Sequence, residues 1–133
     1  MSKNLVPLAT RLACIACLWS ALGLADSWSG VLVDFRCWDS IENNTKALST
    51  DVDRDRNLEI RLCLPNARTK YFAAVLPDGF TLKLDAAGNL KAAELIRQRV
   101  PRAPVFVAIT GEANPPKSDT IKAIRVDSIS VAR

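Results

Sequence analysis

Residues 71–85 carry the pattern that most limits what this chain can become. A tyrosine-led apolar run reaches Leu76, the turn Pro77-Asp78-Gly79 follows, and Phe80, Leu82 and Leu84 then alternate with Thr81, Lys83 and Asp85. Proline presets φ for an early turn position, and glycine accepts the positive φ that closes it. Apolar residues spaced two apart put one face of a strand on a core and the other in water. The segment is a β-hairpin. A lone hairpin is marginal in water, so further strands must complete its sheet.

The remaining strands are read on the same basis. Over residues 28–37, Val31, Val33 and Phe35 point one way and Leu32, Asp34 and Arg36 the other, with Cys37 at the strand's end. Periodicity is lost over 38–57, which reads as loop with at most a helical turn. Residues 58–64 suit a short helix capped by Asn57 and ended by Pro65, although their spacing also fits a strand. Asn89 is placed to cap a helix running to about residue 99, with Leu90, Ala93 and Ile96 on one face and Ala92 and Leu95 widening it. Pro101 and Pro104 end that helix, and Val105, Val107 and Ile109 line one face of the next strand. Residues 111–119 read as loop and 120–131 as a last strand, whose parity shifts between Val126 and Ile129. Such a shift implies a bulge or bend. The expected fold is mainly β: a five-stranded barrel like the oligonucleotide/oligosaccharide-binding (OB) fold, with one helix between strands three and four. The absence of βαβ repetition argues against a doubly wound sheet, and a small α+β sandwich is the competing plan.

The first 25 residues have a different character. Lys3 and Arg11 precede an apolar stretch over 12–25 that ends in small residues at Gly23 and Ala25. That layout is a secretory signal peptide cleaved after Ala25. The apolar run is too short for a stable membrane anchor. The expected organisation is therefore a leader over 1–25 and one domain over 26–133, periplasmic or secreted. Without the leader, which holds two of the 18 basic residues and none of the 14 acidic ones, the net charge falls from +4 to +2. A near-balanced surface does not mark a nucleic-acid binder.

Export also changes the meaning of the cysteines. Cys14 and Cys17 have redox-motif spacing but lie in the leader, where no strand precedes them. Cys37 and Cys63 remain, an even count in an oxidising compartment, so they are expected to pair; the alternative is two buried thiols.

Little in the chain points to catalysis. It has no histidine, which removes the commonest general base and zinc ligand. It has no glycine-rich phosphate loop or dinucleotide fingerprint. Asp51, Asp53 and Asp55 begin like a calcium loop, but Arg56 stands where the sharp turn needs glycine and Leu62 where a bidentate glutamate is needed. A solvated loop closed by the disulfide is the expectation, with no metal and no cofactor. Trp28 and Trp38 flank the first strand and suit either a cap on a small core or an aromatic platform.

The segments Gly30-Val31-Leu32-Val33-Asp34-Phe35-Arg36-Cys37, Tyr71 to Leu84 around Gly79, Val105 to Gly111, and Ile124-Arg125-Val126-Asp127-Ser128-Ile129 resemble the small exported bacterial OB-fold proteins. These are periplasmic and mostly of unknown function; some are associated with envelope stress or proposed to bind small ligands. Many carry a second cysteine near the equivalent of Cys63, and this chain does not. The resemblance bears on fold more than on function. Of the function classes left, the first is a binding module for an unidentified envelope protein, a glycan or a small ligand, which a groove beside Trp38, Tyr71 and Phe80 would favour as its ligand face. A structural or assembly component of the envelope is the alternative, and an enzyme without histidine chemistry is a remote third. Protein recovered from the cell envelope is expected to begin at Asp26 by intact mass. A full-length chain recovered from the cytosol would remove the export reading.

Overall fold

The computed structural model describes residues 25–47, 55–99, 102–113 and 121–132. Five strands and three helices follow in the order β1 (Asp26–Asp34), α1 (Phe35–Ala47), α2 (Arg56–Leu62), β2 (Phe72–Val75), β3 (Thr81–Leu84), α3 (Ala86–Gln98), β4 (Val105–Ala113) and β5 (Ile121–Val131). The strands close into a barrel in the order β1-β2-β3-β5-β4, with β4 returning to β1. Only the β3–β5 pair is parallel. Closure leaves no bare sheet edge.

Alternation sorts each strand into an inside and an outside. Leu32, Phe72, Ala74, Leu82, Leu84, Val107, Ile109, Ile124 and Val126 fill the interior, and Trp28 packs against them. Ala92 and Ile96 join the same cluster, so α3 stops one end of the barrel. The expected helix between the third and fourth strands is therefore present, but it begins four residues earlier than expected. Asp85 is its N-cap, accepting from the Gly88 N–H at 2.9 Å. Asn89 is not the cap: its side-chain oxygen accepts from the Phe72 N–H, also at 2.9 Å, and ties the helix to β2. The buried face is Gly88, Ala92 and Ile96, whereas Leu90 is exposed.

The irregularity expected in the last strand is also present. Thr110 pairs with Ser128 and Gly111 with Val126, so Asp127 is the extra residue of a bulge. Ile129 can then face inward again, opposite Ile109. A side chain at Gly111 would run into the Arg125 carbonyl, so only glycine lets the two strands approach there. The Val126 N–H beside the bulge also reaches the Asp85 carboxylate, at 3.3 Å.

The main departure lies between β1 and β2. The first strand stops at Asp34, and Phe35, Arg36 and Cys37 belong to α1, a helix of 13 residues where loop was expected. Asp34 causes the switch. Its carboxylate accepts from the Cys37 N–H at 3.2 Å, the N-cap arrangement, and from the Thr69 hydroxyl at 2.9 Å. The second helix is capped by Asp55 rather than Asn57, through a bond from the Leu58 N–H at 3.1 Å.

These two helices build a second hydrophobic layer on the barrel's exterior. Val31 and Val33 of β1 and Ala73 and Val75 of β2 face outward and are buried beneath Trp38, Ile60 and Cys63. The strand β1 is therefore apolar on both faces: Leu32 belongs to the interior and its two neighbours to the outer layer.

Cys37 and Cys63 are bonded, with Cα atoms 5.5 Å apart and a sequence separation of 26. The bridge links α1 to the residue that ends α2. A closed loop of that size is worth about 3 to 4 kcal/mol in the chain-entropy account. Replacing both cysteines by serine is expected to lower the thermal midpoint by about 10 °C. Amide exchange should quicken first in α1 and α2, while the barrel strands stay protected.

Candidate functional site

The residues expected to form a ligand face are not brought together. Trp38 is 1 % exposed, so no face of its ring is open to a ligand. Its indole N–H instead donates to the Thr81 hydroxyl at 2.9 Å, within the layer between α1 and the barrel. This corrects the expectation of a platform at Trp38: a large ring with one polar atom is best buried where that atom finds a partner. Tyr71 lies just before β2 and Phe80 just before β3, at opposite ends of the β2–β3 pairing. The Arg36 guanidinium lies 4.7 Å from the centre of the Tyr71 ring, and the Lys122 ammonium 5.1 Å from that of Phe80. Tyr71 lines a shallow dip with Leu90 and Ala93 of α3, which neither Trp38 nor Phe80 reaches.

The acidic run is only partly described. Asp51 and Asp53 lie outside the described residues, and Asp55 serves as the cap of α2. Among the described residues no group of three or more cysteine, aspartate or glutamate side chains is gathered to hold a metal.

A mainly apolar concavity lies elsewhere, on the outside of β1 between α2 and β4. It is a cleft of about 310 Å³. Val31, Ile60, Val75 and Leu76 line it, together with Phe106 of β4 and Arg56 of α2. Three local features shape it. Val31 and Phe106 are cross-strand partners on β1 and β4, so their side chains share the outer face. Ile60 is the buried residue of α2 and sets the depth between helix and sheet. Gly79, at φ +90°, leaves room for the Arg56 guanidinium, which lies against the turn where any side chain would collide with it.

Phe106 is 59 % exposed, an unusual state for a phenylalanine on a strand. Its backbone carbonyl accepts from the Ala132 N–H at 2.8 Å, which brings the end of the chain to the same cleft. Sequence reasoning picked out the inward set Val105, Val107 and Ile109 and passed over Phe106. The usable signal was the alternation itself, which sends an aromatic residue outward at that position.

The chemistry available here is recognition. Aliphatic walls offer a surface for apolar groups, and a guanidinium offers a fork of donors to a carboxylate or phosphate. The fold and cleft together define a small closed β-barrel with a disulfide-braced helical cover. Compared with known proteins, the chain matches no family model, no curated protein and no solved structure.

The Trp38–Thr81 contact is the piece that holds the cover in place, and it can be tested. Thr81→Val keeps the shape but leaves the indole N–H without its partner, at a cost of about 1 to 3 kcal/mol. Denaturant unfolding should register that loss, with a changed tryptophan emission in the folded state.

Proposed function

We propose that this chain is an exported OB-type barrel that works as a binding module without catalysis, and that its site is the cleft between α2 and β4. The observation that carries the reading is the pairing of an apolar recess of about 310 Å³ with a Phe106 ring in its lining that is more than half exposed. A lone exposed apolar side chain means little, but one that continues an apolar recess makes a contiguous surface of the kind that marks binding grooves. The closed strand order, with β3 parallel to β5 and a helix joining β3 to β4, supports the OB assignment. OB barrels commonly bind on the face of strands two and three. Here that outer face is occupied by Trp38 of α1 against Thr81, so the module uses a different surface. The bonded Cys37–Cys63 pair is compatible with an oxidising compartment, which supports export. A chain without histidine supports the non-catalytic part of the reading.

Amide NMR in the presence of small apolar probes (isopropanol, cyclohexanol and phenol) tests the site. Shifts should concentrate at Val31, Ile60, Val75, Leu76 and Phe106 and fade in Phe106→Ala. Perturbations spread evenly over the surface, or gathered at the dip beside Tyr71, would remove the cleft from the proposal.

A further inference from the structure

The cleft does not end at Phe106. Two further concavities adjoin it, one running past Ile60 and Arg61 to Pro104, the other between Arg99, Arg102 and the last residues of β5. All three share Phe106, so the ring stands in the middle of one continuous trough. Four arginines line it: Arg56 and Arg61 from α2 on one side, Arg99 and Arg102 from the α3–β4 connection on the other. No aspartate or glutamate lines any part of it.

Elsewhere on the surface exposed arginines have carboxylate partners: Arg97 pairs with Glu94 at 3.2 Å and Arg125 with Glu112 at 3.0 Å. Among the described residues no carboxylate comes within ion-pair distance of the four trough arginines. Asp55 accepts the helix-capping bond from the Leu58 N–H, and neither it nor Glu59 lines the trough. Four arginines with no described carboxylate in ion-pair contact are thus gathered around the most exposed aromatic ring among the described residues.

We propose that this trough binds an acidic peptide segment of another protein, with apolar side chains anchored beside Phe106 and carboxylates engaged by the arginines. The proposal rests on the reading of the cleft as the binding site and adds the chemistry of its occupant. The distribution of charge selects the occupant class. A single-headed amphiphile needs one anion-binding end and an enclosed channel for its tail. This trough is open, and its arginines lie on both sides of the apolar centre. A chain with acidic groups spaced along it matches that arrangement, and the guanidinium forks suit carboxylates. Single-stranded nucleic acid is also a spaced polyanion, but it calls for several stacking rings along its path. Here the walls are aliphatic, from Val31, Ile60 and Leu76, and Phe106 is the one aromatic side chain lining the trough.

The test is fluorescence anisotropy on the purified protein with a labelled heptapeptide of glutamates interrupted by leucine and phenylalanine. Saturable binding is expected, weakening about tenfold as ionic strength rises from about 0.05 M to about 0.5 M. Arg61→Glu combined with Arg102→Glu, one substitution from each side, should weaken it by about tenfold or more, as should Phe106→Ala. The unfolding midpoints of these variants should match the parent, since all three side chains lie at the surface. Equal binding by the same peptide with lysines for glutamates would overturn the charge argument. Binding of oligodeoxythymidine or of phosphatidylglycerol vesicles in place of the peptide would overturn the choice of occupant. If the acidic peptide fails to bind while the small apolar probes still map to the cleft, this proposal falls and the site remains. If the probes scatter as well, the reading of the site has failed with it.

Discussion

Inside an apolar layer the Trp38 indole N–H meets the Thr81 hydroxyl at 2.9 Å, and the arrangement outside the barrel depends on that contact. A buried indole without a partner carries a desolvation penalty of a few kcal/mol, so the pair sets a particular seat for α1 over β3 rather than a greasy slide. Val31, Val33, Ala73 and Val75 can face outward from the barrel because this seat, with Ile60 and Cys63, covers them. Were α1 to lift, four apolar side chains from two strands would meet water together.

Several other contacts converge on the same layer. Asp34 ends β1 and caps α1, and its own backbone N–H donates to the Cys63 carbonyl at 2.9 Å. Thr69 joins it, donating its hydroxyl to Asp34 while accepting from the Asn66 N–H. The disulfide then fixes α1 to the end of α2, and Pro65, which follows, is fully buried. Helical cover, disulfide and capping network act as one brace across the segment that has the least apolar surface of its own. The position of α2 under this brace also sets one wall of the trough, through Ile60 and Arg56. Covering the face of strands two and three thereby moves the open apolar surface round the barrel to Phe106.

Parts of this were legible in the chain. The hairpin could be read from its Pro77-Asp78-Gly79 turn and the alternation of Phe80, Leu82 and Leu84, and the inward set of β4 from a strand whose outer face is partly solvated, although β2 itself is buried on both faces. The bulge was legible because a two-residue period that shifts phase has no other simple cause. The first helix was not. Phe35, Trp38 and Ile41 are its only large apolar residues, three apart, among asparagines and charged groups that dilute the periodicity. Phe35 fits both the alternation of a strand and the stripe of a helix, so the boundary at Asp34 was invisible without its cap. The trough was missed for a related reason: its arginines come from two segments far apart in the chain.

By itself the sequence determined the strand content, the turn at Pro77-Asp78-Gly79, the inward residues of the alternating strands and the availability of Cys37 and Cys63 for pairing. These are local properties, set by backbone stereochemistry and by which side chains prefer water. Only the tertiary structure decided that β1 is apolar on both faces, that Trp38 is buried instead of displayed, and that Phe106 is left exposed beside Arg56, Arg61, Arg99 and Arg102. Those outcomes turn on which elements lie over one another. Closing a barrel brings distant segments together by rules of packing and hydrogen-bond satisfaction that no short stretch of sequence contains.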